Sequence, residues 1–301
     1  MTATTRRPDD LDMRSMLPPK AVLHEMIDGW LAEDIGRFDI TTEFLIPAEA
    51  KARFLLNTRH EVVVCGIDVT AKVFQRHVPE CAVEILTPDG SRTGPGTSLA
   101  RVEGSARGLL TSERTALNLL QLMTGIATRT AEFADLVAGT GATLIDTRKT
   151  IPGFRMLSKY ATVVGGARNH RIRLDDGMLI KDNHIAVCGG IGQALARAKA
   201  LTPSLTKIEV ECDTLDQVSE AADAGADVIL LDNMDAALMR EAVAIVDGRS
   251  ELEASGGITL ETVREKAQSG VDYISVGRMT QSAPAADTGT CHPHTFPPLE
   301  C

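Results

Sequence analysis

The sequence predicts an α/β protein in which a parallel sheet occupies the second half of the chain and a smaller α+β domain precedes it. Apolar runs of strand length alternate with helical patterns there, and the strands predicted to begin at residues 207, 228, 252 and 273 start 21, 24 and 21 residues apart. This spacing is typical of β-α-β units, whose strands pair in parallel. Their continuous apolar character favours a sheet buried on both faces.

The elements before the sheet indicate a compact first domain and a long connecting helix. Turn-forming PDG and GPG sequences interrupt strand-like runs within residues 82–104. A long helix is predicted from residue 112 to 137, where Leu117, Leu120 and Met123 follow helical spacing. We also predict helices at 24–33, 68–76, 214–224, 235–246 and 259–269, and strands at 52–56, 62–65, 142–146, 207–212, 228–232, 252–255 and 273–277.

The domain boundaries follow from these elements. We predict a flexible leader over residues 1–20, an α+β domain over 21–116 and the parallel-sheet domain over 117–283. Residues 284–288 are expected to return to the first domain, and residues 289–301 to form a disordered tail.

Composition excludes several functional classes. A net charge of -10 counts against binding to nucleic acid or anionic membranes, and an aromatic content of 3% counts against stacking of unpaired bases. The six cysteines include no CxxC pair, and no apolar run is long enough to span a bilayer. With no secretory signal at the N-terminus, these features predict a cytoplasmic protein with free thiols.

Positive charge is concentrated in one segment of this acidic chain. Residues 146–184 contain eight Lys or Arg against four Asp. A cationic segment of this kind indicates a small polyanionic ligand.

Each predicted parallel strand ends in an acid or in glycine. These end residues are Asp146, Glu211, Asp232, Ser255 with Gly256 and Gly257, and Gly277. For a single strand, such residues are explained as loop starts or helix caps. The full set instead indicates a functional edge, because active sites of α/β barrels lie at the carboxyl ends of the strands.

Two stretches of the cationic segment carry the candidate anion-binding groups. Thr147, Arg148 and Lys149 follow the strand at 142–146, and Arg offers a planar fork for carboxylates where Lys offers a compact charge for phosphate. The pair His170 and Arg171 is followed ten residues later by Lys181. Arg168 and Arg173 are interpreted as surface charges.

Two acids and two glycine turns complete the pattern. Glu211 and Asp232 are one β-α unit apart and suit Mg²⁺ together with phosphate and sugar oxygens. Glu209 is either a ligand or a buried, paired acid. The Ser255–Gly257 turn and Gly277 suit a phosphate held by loop amides. No GxGxxG follows a strand and no His/Cys cluster predicts zinc.

Taken in order, these stretches resemble the quinolinate phosphoribosyltransferase family, also called nicotinate-nucleotide pyrophosphorylase (carboxylating), over residues 20–288. The stretches that carry the resemblance are EDIGRFDITT (33–42), SERTALNLLQLMTGIATRT (112–130), DTRKTIPGFR (146–155), GGARNHRIRLDDGMLIKDNHI (165–185), IEVE (208–211), ILLDN (229–233), EASGGI (253–258) and ISVG (274–277).

The resemblance implies a fold, a reaction and an assembly. The fold is an incomplete, seven-stranded α/β barrel beside a small N-terminal α+β domain. The reaction joins quinolinate to 5-phosphoribosyl 1-pyrophosphate and releases nicotinate mononucleotide, pyrophosphate and CO₂ for NAD synthesis. The assembly is a head-to-tail homodimer with shared active sites, and no nucleic acid or membrane takes part.

The resemblance also implies residue roles. Arg148, Arg171 and Lys181 would bind the quinolinate carboxylates, with Thr147 and His170 beside them, and Arg114 would reach into the neighbouring subunit's site. Lys149 would contact the phosphoribosyl donor, and Glu211 and Asp232 would hold Mg²⁺ or the ribose hydroxyls. Ser255, Gly256, Gly257 and Gly277 would bind the 5′-phosphate. The catalytic set would be Lys149, Lys181, Glu211 and Asp232.

The chain departs from the family pattern at three places: Phe38 replaces a usual Gly, Gln281 replaces a usual His, and the ending 289–301 is atypical. The alternatives are a nicotinate phosphoribosyltransferase, a noncatalytic ligand-binding barrel, and a Schiff-base aldolase using Lys181. The complete cation set favours a dicarboxylate over nicotinate. The acid pair counts against a mere binder, and the charges around Lys181 against the aldolase.

Overall fold

The computed structural model describes residues 13–296, with side chains for 14–290. The chain divides into two compact units. The antiparallel unit contains residues 13–129, 156–165 and 283–296 of this range, and the parallel unit contains residues 130–155 and 166–282. The boundary falls between residues 129 and 130 rather than at the predicted 116/117 junction of the same helix.

The described residues form twelve strands and eleven α-helices, after a short 3₁₀ turn at Met13–Met16. The strands are β1 (Lys51–Thr58), β2 (Val62–Val63), β3 (Ala82–Ile85), β4 (Arg92–Thr93), β5 (Ser98–Ser105), β6 (Thr143–Ile145), β7 (Met178–Ile180), β8 (Ile208–Cys212), β9 (Val228–Asp232), β10 (Glu251–Ser255), β11 (Tyr273–Ser275) and β12 (Thr288–Phe296). The helices are α1 (Lys20–Ile35), α2 (Ile40–Leu45), α3 (Ile67–His77), α4 (Ala106–Val137), α5 (Arg155–Val164), α6 (Asp182–Cys188), α7 (Ile191–Leu201), α8 (Leu215–Asp223), α9 (Ala236–Val246), α10 (Val263–Ala267) and α11 (Arg278–Gln281).

The antiparallel unit is built on a four-stranded sheet in the order β12-β1-β5-β3. Burial alternates along β1, so that Phe54 and Leu56 face the core while their neighbours are partly exposed. The final segment crosses α4, where the Ala286 amide donates to the Gln121 carbonyl at 2.9 Å. Gly125 permits this crossing because a Cβ there would lie 2.0 Å from the Pro284 carbonyl oxygen.

The predicted disordered tail is corrected by this sheet. Residues 288–296 form β12, an edge strand antiparallel to β1. A proline such as Pro293 counts against a strand. Here Arg53 pairs with His294 and Leu55 pairs with Cys291, so β12 has one more residue than β1 between these two pairs. This extra residue forms a bulge next to the proline. Edge strands and bulges tolerate a missing N–H. Within the predicted leader, Met13–Met16 form a 3₁₀ turn and α1 begins at Lys20, while residues 1–12, like 297–301, lie outside the described range.

The parallel unit has a six-stranded sheet in the order β6-β11-β10-β9-β8-β7, and every pairing in it is parallel. A single parallel bridge joins Ile145 to Arg168, which adds a seventh strand position beside β6. The strand order follows the chain cyclically, with first and last strands paired, as in an α/β barrel. Among the described residues, the ladder is interrupted between Arg168 and β7.

The core of the parallel unit lies between these strands and the helices that cover them. It includes Val210, Ile229 and Ile274 from the strands and Val218 and Met239 from the helices. The predicted helix over 259–269 is shorter, since α10 spans only Val263–Ala267. No described helix has both the length and the apolarity that crossing a bilayer requires.

Candidate active site

The parallel sheet brings most of the predicted site residues to its carboxyl edge, because strands that run in one direction end on one side. They follow or close β6 (Thr147, Arg148, Lys149), the Arg168 bridge (His170, Arg171), β7 (Lys181), β8 (Glu211), β9 (Asp232), β10 (Ser255, Gly256, Gly257) and β11 (Gly277). Arg114 belongs to the antiparallel unit, where it is exposed on α4.

Asp146 fixes the position of the segment that carries His170. Its side chain is 0% exposed, and its two carboxylate oxygens accept from the His170 backbone N–H at 2.9 Å and from the Asn169 side-chain amide at 2.7 Å. Sequence reasoning identified Asp146 only as a strand end. The structure shows that it orients the neighbouring strand position.

Arg148 and Arg171 form a pair of neighbouring cations. Burial lowers the pKa of Arg171, and the charge of Arg148 lowers it further. The Nε of Arg148 is buried and has no hydrogen-bond partner among the described residues, whereas Arg171 donates to the Gly177 carbonyl at 3.0 Å. Because the charge of Arg148 disfavours the charged form of Arg171, an anion that contacts both guanidinium groups would be favoured.

Lys149, Thr147 and Gly277 lie together at the ends of β6 and β11. The Thr280 hydroxyl donates to the Lys149 carbonyl at 2.7 Å, and the Lys149 N–H donates to the Thr147 hydroxyl at 3.1 Å. A Cβ on Gly277 would lie 2.9 Å from the Lys149 side chain. Gln281, which replaces the usual family His, follows one turn later on α11, with its side-chain oxygen 3.6 Å from the same Cβ position.

His170 contacts two buried glutamates inside the sheet. Its Nε2 lies 2.9 Å from Glu209 and 3.5 Å from Glu253. Burial, followed by the charge of Glu209, raises the pKa of Glu253 to about 7. Sequence reasoning missed Glu253, although an acid in the middle of an apolar strand, two residues before Ser255, is the same signal that drew attention to Glu209.

The hydrogen bonds of His170 place a proton on Nε2. Burial lowers the pKa of this ring, but its hydrogen bonds to Glu209 and Glu253 raise it more, to about 10. A doubly protonated ring disagrees with the contact at Nδ1, which accepts from the Arg171 N–H at 2.6 Å and so needs a free lone pair. The single ring proton is therefore on Nε2 and donates to Glu209, and a metal on Nε2 would have to displace this proton.

Lys181 and Glu211 form an ion pair between adjacent strands. Glu211 aligns with Leu230 of β9, so Asp232 lies on the same face, two residues nearer the carboxyl edge. The Asp232 carboxylate accepts from the side-chain amide of Asn233 at 2.6 Å and is partly exposed. The predicted acid pair is therefore present, and Glu211 is paired with a lysine.

The Ser255–Gly257 turn has the backbone that a glycine pair permits. Gly256 and Gly257 have φ values of 85° and 60°, and a Cβ on Gly256 would lie 2.2 Å from the Asn233 side-chain oxygen. Ser255 pairs with Asp232 in register, and its hydroxyl accepts from Ser275 at 3.0 Å. The turn therefore packs directly against the loop that follows Asp232.

The chain matches known proteins along most of its length. Residues 39–124 match the N-terminal domain of quinolinate phosphoribosyl transferase, and residues 126–289 match its C-terminal domain. A nicotinate-nucleotide pyrophosphorylase (carboxylating) of Mycobacterium leprae is 42% identical over 83% of this chain and 90% of its own. A mitochondrial quinolinate phosphoribosyltransferase (decarboxylating) of Nicotiana tabacum is 37% identical over 93% of this chain and 85% of its own.

Solved structures show the same fold. NadC from Streptococcus pyogenes superposes with a TM-score of 0.89 at 35% identity, covering 92% of this chain and 98% of its own. The nicotinate-nucleotide pyrophosphorylase of Ehrlichia chaffeensis gives a TM-score of 0.85 at 43% identity, covering 89% and 97%. With both family domains matched in order, this chain belongs to the quinolinate phosphoribosyltransferase family.

Proposed function

We propose that this protein transfers the phosphoribosyl group of 5-phosphoribosyl 1-pyrophosphate to the ring nitrogen of quinolinate, with loss of CO₂, to supply nicotinate mononucleotide for NAD synthesis. The observation that carries the proposal is that Arg148 and Arg171 follow neighbouring strand positions, β6 and the Arg168 bridge, at the carboxyl edge of the sheet, where the charge of Arg148 lowers the pKa of Arg171. A dicarboxylate would satisfy both guanidinium groups, and Lys181, which follows β7, adds a third cation.

The chemistry requires positioning more than proton transfer. The pyridine nitrogen uses its lone pair to form the bond to C1 of the ribose, and the C1–O bond to pyrophosphate breaks. The ring nitrogen then carries positive charge, so it stabilises the electron pair left at C2 when the carboxylate departs as CO₂, and C2 takes up a proton. The cations Lys149, Arg148 and Arg171 would hold the two anionic substrates together, which supplies the proximity that lowers the barrier.

Glu211 and Asp232 would hold Mg²⁺. Their donors are oxygens only, which Mg²⁺ prefers, and Asp232 is partly exposed at the edge. Glu211 also forms an ion pair with Lys181, so Mg²⁺ would share this carboxylate with the lysine or displace it. When bound, Mg²⁺ would neutralise phosphate and pyrophosphate oxygens of the donor.

The 5′-phosphate would bind at the two glycine turns. Ser255, Gly256 and Gly257 present a hydroxyl and backbone amides, and Gly277 lets the chain pass close to Lys149. Thr147 and His170 would line the neighbouring quinolinate position.

The functional assembly is a homodimer in this proposal, with Arg114 of one subunit completing the site of the other. We expect Arg114→Ala and Lys149→Ala to be nearly inactive separately and to recover partial activity when mixed after dissociation and reassociation. Mixtures that stay inactive would contradict a shared site. The free thiols of Cys65, Cys81 and Cys212 support a reducing, cytoplasmic location.

The decisive experiment is an assay of purified protein with Mg²⁺, the sugar diphosphate and either quinolinate or nicotinate. Consumption of quinolinate with release of CO₂ supports the proposal. Turnover of nicotinate alone would replace it with the nicotinate-specific alternative. A human nicotinic acid phosphoribosyltransferase shares the fold with a TM-score of 0.53, but at 16% identity this likeness extends to the fold alone.

A further inference from the structure

Lys266 lies behind two loops at the carboxyl edge of the sheet and contacts the backbone of both. Its ammonium donates to the Met234 carbonyl at 2.9 Å and to the Gly256 carbonyl at 3.4 Å. Met234 belongs to the loop that follows Asp232, the last residue of β9, and Gly256 belongs to the turn after β10. One side chain from α10 therefore joins the loop of the candidate metal ligand to the candidate phosphate turn.

The two loops need such a connection because their backbones are in unusual conformations. Asn233 is one of two described residues other than glycine with positive φ, at 56°, and Gly256 and Gly257 are also in this region. The Asn233 N–H donates to the Ser255 carbonyl at 3.1 Å. That bond and the contact between Asn233 and Gly256 fix where the loops meet, and Lys266 holds the carbonyls that follow this point.

The direction of the Gly256 carbonyl decides where the next amide points. In a planar trans peptide, the C=O of one residue and the N–H of the next point in opposite directions. Because the Gly256 carbonyl points at Lys266, the Gly257 N–H points away from it. An amide turned in this way is able to donate to a phosphate oxygen on the far side of the turn.

The positive charge of Lys266 also favours an anion at this turn. Burial lowers its pKa, whereas the carboxylates of Asp235 and Asp232 oppose this decrease. The half-buried Lys266 ammonium interacts favourably with the Met234 and Gly256 carbonyls. It also contributes positive potential to an anion bound on the opposite side of the turn.

We propose that Lys266 is a positioning residue for the phosphoribosyl donor: it holds the Gly256 carbonyl so that the Gly257 amide faces the 5′-phosphate. This inference rests on the proposed function for the identity of the phosphate. It differs from that function in assigning specificity for the donor to a residue that does not itself touch substrate.

The test compares Lys266→Met and Lys266→Arg with wild type in steady-state kinetics with Mg²⁺. Lys266→Met should raise the KM for the sugar diphosphate by about tenfold, since one amide bond to a charged oxygen is misaligned. The KM for quinolinate should stay within about twofold of wild type, because Lys266 contacts the loops after β9 and β10, whereas Arg148 and Arg171 follow β6 and the Arg168 bridge. Lys266→Arg keeps N–H donors and should recover most of the loss.

A matched control is Lys199→Met. Lys199 also donates to a loop carbonyl, that of Ala224, at 2.7 Å, but this loop precedes β9 and so lies at the opposite edge of the sheet. Lys199→Met should leave the KM for the sugar diphosphate and the KM for quinolinate unchanged. An unchanged donor KM in Lys266→Met, or an equal rise in both KM values, would overturn the inference.

A second measurement separates this inference from the proposed reaction. Calorimetric titration with ribose 5-phosphate probes the turn without turnover. If wild type binds this probe and Lys266→Met binds it about tenfold more weakly, the inference stands even where quinolinate is not consumed. If Lys266→Met does not fold, Lys266→Gln replaces it: a selective loss of donor affinity supports the role, and an unselective loss or no loss contradicts it.

Discussion

The Asp146 carboxylate accepts the backbone N–H of His170 at 2.9 Å, which links the end of β6 to the strand position that carries both His170 and Arg171. The second oxygen of Asp146 accepts from Asn169 at 2.7 Å, and the side chain is fully buried. Asp146 therefore holds the segment that carries His170 and Arg171, and its own side chain is buried.

We expect Asp146→Ala to destabilise the protein by about 3 kcal/mol, because two donors lose their acceptor in a buried position. The KM for quinolinate should rise as well, since His170 and Arg171 lose their anchor. Urea unfolding and steady-state kinetics measure the two effects. Asn169→Ala is the comparison: it leaves the bond to the His170 backbone intact and should cost less in both. Equal losses in the two variants would contradict the anchoring role.

Arg148→Met should separate activity from stability. Two lost charge-assisted bonds to a carboxylate would lower kcat/KM for quinolinate by about 100-fold or more. The free energy of unfolding without ligand should stay unchanged or increase, because the change relieves repulsion from Arg171 and removes a buried Nε that lacks a partner among the described residues.

The control for this variant is Arg173→Met, which removes an exposed arginine from the same segment. It should change neither quantity. A loss of stability in Arg148→Met with an unchanged KM would show that Arg148 is structural.

The strand ends could be predicted from the sequence because each parallel strand is an apolar run closed by a polar residue or glycine. This pattern located Glu211, Asp232, Ser255 and Gly277 at one edge, and the structure has them there. The edge strand β12 could not be found in the same way, since Pro293 interrupts the run and only the partner strand shows that a bulge accommodates it.

Side-chain contacts between strands that are not neighbours in the sheet could not be predicted from the sequence. Glu253 of β10 contacts His170, which follows the Arg168 bridge, although these two strand positions are not adjacent in the sheet. Periodicity places a residue on a face of its strand, but it does not give the curvature that brings two faces together. The ion pair between Lys181 and Glu211 joins the ends of adjacent strands, and sequence reasoning placed both residues at this edge without pairing them.

A third prediction concerns the antiparallel unit, where Asp89 accepts from the amides of Gly66 and Ile67 at the start of α3 and from the Tyr160 hydroxyl at 2.8 Å. Tyr160→Phe should lower the free energy of unfolding by about 1–2 kcal/mol, because it removes one bond to a charged acceptor. Asp89→Ala should cost more, since it leaves both helix amides without their acceptor. Urea unfolding of the two variants tests this order, and a larger loss in Tyr160→Phe would contradict it.

The last prediction concerns the pH dependence of stability. The pKa of Glu253 in the folded protein is about 7, above its ordinary value of 4.5, because burial and the charge of Glu209 disfavour ionisation. The folded state therefore binds the proton more tightly than the unfolded state. The stabilisation from this proton is complete below pH 4.5 and is lost as the pH rises through 7, a change on the order of 3 kcal/mol.

Glu253→Gln cannot titrate, so its free energy of unfolding should fall less than that of wild type between pH 5 and 8. Urea unfolding at four pH values across this range gives the slope of the unfolding free energy against pH for each protein. The test compares these two slopes and not the absolute stabilities. His170, Glu209 and Ser275 face Glu253, and all three remain in the variant. Glu241→Gln, an exposed change on α9, should run parallel to wild type. If Glu253→Gln also runs parallel to wild type, the buried carboxyl does not gain its proton in this range.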